Sequence, residues 1–217
     1  MAPHKTIMIR DIVLRAMDLI RKEGTDNVTA RKIAIELGCS TMPIYSSLGS
    51  MKDLNRRIIE LGYVWLGHLQ AELKTGHPLT DLEMSMMILA RREPHLWKLM
   101  FLYNEPAAQE VQFCSWREIT QEIADAHNQN NANSTISVGE IRTIGYSIFG
   151  SCAAIALGSF FYHTDEPENL EKFFLDFFHS LNEKNLPNYS ATPLIPKDID
   201  QILDSTLQQV QAEYHPD

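Results

Sequence analysis

Cysteine is scarce: Cys39, Cys114 and Cys152 are the three among 217 residues. An odd number with no Cys-x-x-C pair excludes a disulfide framework and the ligand spacing of a zinc ribbon, and fits a reducing compartment. Long apolar runs are missing too. No stretch reaches the roughly 18 uncharged apolar residues that a membrane-spanning helix needs, and Met1-Ala2-Pro3-His4-Lys5 lacks the apolar core and cleavage site of a secretory signal. The chain is therefore expected to be soluble and cytoplasmic, with no membrane partner. Catalytic signatures are also absent. There is no Gly-x-Ser-x-Gly, no phosphate-cradling glycine loop, no His-Glu-x-x-His and no pair of the Glu-x-x-His motifs that build di-iron bundles. The eight histidines include no i, i+4 ligand pair, so neither a metal nor a cofactor is expected.

Basic charge is in short supply as well. The net charge is −9, which taken as an average argues against nucleic acid, because phosphate neutralisation requires a basic face. The average conceals a split. Residues 1–60 carry ten Lys/Arg against seven Asp/Glu, and residues 61–217 carry nine against twenty-one. A short basic end attached to an acidic body would orient the molecule on a duplex. With 44% hydrophobic side chains, the length suits a small domain fused to a larger one, divided as 1–50 and 51–217.

Apolar residues recur at helical spacing almost throughout, and no segment shows sustained period-two alternation, so the fold is predicted to be all-α. The first helix spans Thr6 to Lys22 with Gly24 past its end. Thr29 caps a second helix through Leu37, ended by Gly38. Ser40 caps a short third helix with Pro43 at its third position, where the missing N–H has no acceptor to lose. A longer fourth helix runs from about Ser50 past His68, striped by Leu54, Ile58, Leu61, Trp65 and Leu69. Thr80 and Glu83 form a capping-box pattern opening a fifth helix that Pro94 stops. His95–Tyr103 and Ala107–His127 are the next helices, followed by an Asn-rich stretch, 128–134, that reads as a mobile loop. Ser137 and Glu140 repeat the capping-box pattern before an apolar helix reaching about Phe161. Pro167 opens a further helix ending near Leu181, residues 185–197 read as a linker, and Ile199, Ile202, Leu203, Thr206, Leu207 and Val210 stripe a last amphipathic helix.

Helix, glycine turn and short helix between residues 29 and 48 make a helix-turn-helix pattern, whose second helix would lie in the major groove. Thr29, Arg31, Ile33-Ala34, Gly38-Cys39-Ser40, Tyr45, Gly49-Ser50 and Leu54 fall in one register. This string resembles the tetracycline-repressor (TetR/AcrR) family over about the first quarter of the chain. Two positions depart from the family pattern. Leu48 stands at its usual phenylalanine, and its frequent lysine at the start of the fourth helix falls on Met51, with Lys52 one place later. Thr41, Met42 and Pro43, with Ser46 nearby, are the candidates for base edges, where an apolar pair can pack on thymine methyls. Thr29, Arg31, Tyr45, Ser47 and Lys52 are the candidates for the phosphates around them, and Ser40 completes the DNA-facing set.

The resemblance implies a two-fold dimer on palindromic double-stranded DNA, formed by the last two helices of the main domain. Here those are 138–161 and 168–183, with Gly145, Gly150, Ala153, Ala154, Leu157, Phe174, Phe177, Phe178 and Leu181 as candidate interface residues. Met84, Met87, Trp97, Met100, Phe101, Tyr103, Phe113, Trp116, Tyr146 and Phe149 supply an adaptable apolar lining for a small, largely apolar effector, with His95 or Arg117 as polar anchors. The expectation is a ligand-responsive repressor that is not an enzyme. The alternatives are a helical protein-docking adaptor that uses helix 198–213, or a helical enzyme that modifies a small molecule.

Overall fold

A computed structural model describes residues 7–73, 75, 77–130, 135–157, 176 and 196–216. These hold nine α-helices and no strand: α1 Ile9–Glu23, α2 Ala30–Leu37, α3 Met42–Leu48, α4 Met51–Leu73, α5 Pro78–Arg92, α6 Pro94–Leu102, α7 Pro106–Asn130, α8 Val138–Ala156 and α9 Ile199–Glu213, with a 3-10 turn at Thr25–Asn27. The fold is all-α, and no helix among the described residues is long and apolar enough to cross a membrane. The expected helix 168–183, with Phe174, Phe177, Phe178 and Leu181, lies outside the described residues except for Asp176, and most of the linker 185–197 lies outside them too.

The N-terminal helices form where their stripes and caps direct. Ile12, Val13, Ala16, Met17, Leu19 and Ile20 bury one face of α1, and the N–H of Gly24 closes its end on Ile20 O at 2.8 Å. Gly24 has φ +80, and a Cβ added there would stand 3.1 Å from the His95 ring, so glycine is required both for its backbone and for the close approach of α6. Thr29 caps α2 by accepting from Lys32 N.

Several boundaries differ from the sequence reading: α1 begins at Ile9 rather than Thr6, and α8 ends at Ala156 rather than near Phe161. α3 begins one residue late: Thr41, not Ser40, is its N-cap, and Pro43 occupies the second position, where the N–H is equally dispensable. α5 starts at Pro78 with His77 as N-cap. Thr80 is therefore the third helical residue rather than the N-cap, so the Thr80–Glu83 pair does not form the expected capping box, and both side chains are instead inside the fold, 0% and 1% exposed. α7 continues through Asn130 into the expected loop. Asn128 fixes the chain beyond, donating to Ile136 O at 2.9 Å and accepting from Ile136 N at 2.7 Å. The second capping box, Ser137 with Glu140, forms as expected.

α5 is the central helix, buried on every side from Leu79 to Ala90 except Asp81 and packed by α4, α6, α7 and α8. α4 is the long strut. α9 lies along it with Ile199, Leu203, Thr206, Leu207 and Val210 buried. Trp65 Nε1 donates to Thr206 Oγ1 at 2.9 Å within this seam, so the apolar stripe that a docking adaptor would present is covered by its own chain. The N-terminal helices join the body mainly through α1 on α6 and α4. Arg21 makes a forked pair with Glu93, Nε to Oε2 at 2.9 Å and Nη2 to Oε1 at 2.6 Å, while its guanidinium lies 5.2 Å from the Trp65 ring centroid. Burial works against the Arg21 charge, but the Glu93 hydrogen bonds and the carboxylates of Glu93, Asp18 and Asp204 hold its proton above the ordinary arginine value.

Removing one partner of such a pair strands the other charge in low dielectric. Arg21→Met is expected to lower the unfolding free energy by about 3 kcal/mol, and Arg21→Met with Glu93→Leu to recover most of the loss. Urea denaturation of both variants checks this; a double variant as weak as the single one would contradict it.

Candidate nucleic-acid interface and ligand pocket

The turn between α2 and α3 is set by Gly38, which adopts the left-handed conformation (φ 65, ψ 36). Its N–H and that of Cys39 return to Ile35 O and Ala34 O at 3.1 and 2.9 Å. α3 is then anchored from below by Ile44 and Leu48, 1% and 7% exposed, against α1, α2 and α4. Its outer face is Thr41, Met42, Tyr45, Ser46 and Ser47, all exposed. Met42, at 76%, is among the most exposed large apolar side chains described. Pro43 is half-buried beside them, Ser40 is exposed in the turn, and Ser46 Oγ donates to Pro43 O at 3.1 Å. Six of the ten expected DNA-facing residues therefore share one surface around the start of α3, or seven with Pro43.

Cations near this surface are mostly engaged. Lys32 pairs with Glu23 and Arg56 with Glu60, and Arg15 lies 4.0 Å from Glu36. Lys52 Nζ is 2.9 Å from Glu105 Oε2, on the segment joining α6 to α7. The hydrogen bond to Glu105, and then its charge, raise the Lys52 pKa. Arg31 is exposed on α2.

The body holds a part-open cavity of about 290 Å³, at the small end for ligand sites. Its lining comes from four helices: Tyr63 of α4, Phe101 of α6, Gln109, Gln112, Phe113 and Trp116 of α7, and Tyr146 and Phe149 of α8. Trp97 backs this wall, with ring centroids 4.9 Å from Phe101 and 5.6 Å from Phe149. Tyr63 meets Phe101 edge-on at 5.6 Å, and burial pushes its phenol well above the usual range. Phe113 and Tyr146, 65% and 69% exposed, form the rim. Among the described residues the lining carries aromatic faces and two carboxamides but no carboxylate, ammonium or guanidinium.

Five of the expected effector residues meet here: Phe101, Phe113, Trp116, Tyr146 and Phe149. The others do not line the cavity. Met84, Met87, Trp97 and Met100 are core fillers, at most 1% exposed. His95 packs under Gly24, because it sits about 200° around α6 from Trp97. Tyr103 faces a separate cleft shared with Thr25, Tyr45, Met51 and Asn55, and Arg117 is exposed. Tyr63, Gln109 and Gln112 went unread. The spacing of Gln109 and Gln112 with Phe113 and Trp116 places all four on one face of a helix, which was the available signal.

Within α8, Gly145 makes room for a side chain of α7: a Cβ there would lie 2.5 Å from Trp116 Cζ2. It therefore lies under Trp116 rather than on an outer seam. Gly150 and Leu157 are exposed, while Ala153 and Ala154 are half-buried. Among the described residues, no group of three or more His, Cys, Asp or Glu is placed to hold a metal. No protein-family model matches the chain, and no curated protein matches it significantly.

Gly145→Ala drives a methyl into a rigid ring, so it is expected to destabilise by about 1–3 kcal/mol and to change Trp116 emission. Gly67→Ala, on an exposed face of α4 with nothing within 4 Å, is the control and is expected to gain up to about 1 kcal/mol from helix propensity. Paired thermal melts with emission spectra test the contrast; equal behaviour would show that Trp116 is not seated on Gly145.

Proposed function

We propose that this chain is a one-component DNA-binding transcription regulator of the TetR/AcrR kind, acting as a repressor on a palindromic operator. On this reading α1–α3 form a helix-turn-helix domain, and the remaining helices form an effector-binding and dimerisation domain. The observation that carries the proposal is the two-sided construction of α3, with Ile44 and Leu48 buried below and Thr41, Met42, Tyr45, Ser46 and Ser47 exposed above. A seven-residue helix that spends its apolar residues on anchoring, yet leaves a methionine 76% exposed at its tip, presents the shape and chemistry that a major groove accepts.

The same reading gives the cavity its role. A small, largely apolar molecule seated among Phe101, Trp116, Tyr146 and Phe149 contacts α6 near its C-terminal end. The N-terminal end of α6 carries Glu93 and His95, which hold α1 and Gly24. A displacement of α6 therefore reaches the DNA-facing helices through the Arg21–Glu93 fork. Only a ligand with different affinities for the two arrangements can drive that shift. The exposed edge of α8 at Gly150 and Leu157 supplies part of the surface for a homodimer.

Selection from a pool of random duplexes, followed by mobility-shift titration, tests the proposal. The expected result is a palindromic site bound with steep salt dependence. Thr41→Ala and Met42→Ala should each weaken that site by about 1–3 kcal/mol. Because both side chains are exposed and the Thr41 hydroxyl makes no capping hydrogen bond to α3, their melting should be unchanged. Failure to bind any duplex at low salt would refute the function.

A further inference from the structure

We infer that Glu105 withholds Lys52 from DNA phosphate, and that Gln109 and Gln112 on the pocket wall position Glu105 to do so. The inference rests on the DNA-binding reading above. Lys52 lies in the first turn of α4, close in the chain to α3, where an ammonium is within reach of a duplex backbone docked on α3. Its side chain is 65% exposed, yet Nζ is held 2.9 Å from a Glu105 carboxylate that is itself only 22% exposed. The ordered carboxylate thus occupies the cation that a phosphate oxygen would otherwise engage.

Glu105 is not on a free loop. It ends the short segment that leaves α6 after Leu102 and enters α7 at Pro106, and that segment is stapled from the cavity side. Gln112 Nε2 donates to Met100 O at 2.7 Å and to Tyr103 O at 3.5 Å. Gln109 Nε2 donates to Asn104 Oδ1 at 2.6 Å, and Gln109 N donates to Glu105 O at 2.8 Å. The two carboxamides that line the cavity therefore tie α7 to the end of α6 at Met100 and to Tyr103 and the Asn104 side chain, the residues that lead into Glu105. A molecule that tightens this staple strengthens the hold on Lys52 and weakens the grip on DNA, the direction that release from an operator requires.

Fluorescence anisotropy with a labelled random-sequence duplex of about 30 base pairs, titrated with full-length protein from about 50 to 200 mM salt, reads phosphate contacts directly. Glu105→Gln is expected to bind about 2–5-fold tighter than wild type at low salt. The slope of log affinity against log salt should steepen by about 0.9, the value of one phosphate contact. Glu110→Gln removes the same charge from an exposed position on α7 and should leave the slope unchanged. In a Lys52→Gln background the Glu105→Gln gain should vanish. Gln112→Leu should move affinity part of the way toward Glu105→Gln and add nothing to it in the double variant. If Glu105→Gln and Glu110→Gln behave alike, or the gain survives without Lys52, Glu105 acts only through overall charge and the inference is overturned. If wild type binds no duplex even at the lowest salt, the DNA-binding reading itself fails and takes the inference with it.

Discussion

The forked pair between Arg21 and Glu93 is the joint on which the rest of the molecule hangs. Glu93 is the residue at which α5 ends and α6 begins, so one carboxylate defines both the corner of the body and the seat of α1. Arg21 in turn lies over Trp65, whose indole N–H is committed to Thr206 of α9. α1, α4, α6 and α9 thus converge within a few side chains. Two parallel hydrogen bonds fix the orientation of the guanidinium against the carboxylate as well as its distance, so the pair sets how α1 is seated on the α5–α6 corner.

Around that joint, the cavity follows from how the core is filled. α5 is enclosed by its neighbours and takes up the methionines, leaving Phe101, Trp116 and Phe149 to face one another across the gap between α6, α7 and α8. Rings of that size pack edge to face, as Tyr63 and Phe101 do at 72° between planes, and such contacts leave space that small aliphatic side chains would close. Gly145 completes the arrangement by letting Trp116 lie directly on α8. The lining described, aromatic faces with the carboxamides of Gln109 and Gln112, favours an apolar guest with a few polar atoms, since apolar surface leaves water there and the amides supply hydrogen bonds.

Much of this was legible beforehand, for identifiable physical reasons. α1, α2 and α9 have single apolar stripes and polar backs, so periodicity alone locates them and their buried faces. The Ser137–Glu140 box was readable because its residues remain at the surface. The identical spacing at Thr80 and Glu83 does not mark a helix start because Pro78 opens α5 two residues earlier, and a residue already inside the helix cannot serve as its N-cap. α4 was half read. Its stripe from Leu54 to Leu69 was plain, but a strut packed on two faces carries a second stripe, Ile59, Tyr63 and Leu66, and the second stripe holds the cavity residue. His95 and Tyr103 lie away from the cavity, His95 because it stands on the other side of α6 from Trp97 and Tyr103 because it follows the end of α6 and turns to another cleft, a matter of tertiary packing rather than pattern.

Electrostatics then constrains how the proposed regulator would work. The first sixty residues carry a positive balance, but two of its cations are engaged by carboxylates of the body, Arg21 by Glu93 and Lys52 by Glu105, while Lys32 and Arg56 are paired within the segment by Glu23 and Glu60. Non-specific affinity scales with the number of phosphates neutralised, so a module whose cations are paired internally binds arbitrary duplex weakly, and the acidic body weakens it further. Met42 and Thr41 offer apolar and hydroxyl contacts to base edges that this deficit does not touch. A reader built in this way discriminates by withholding the attraction common to all DNA, which leaves the fit of α3 to a particular sequence as the term that decides where the protein stays.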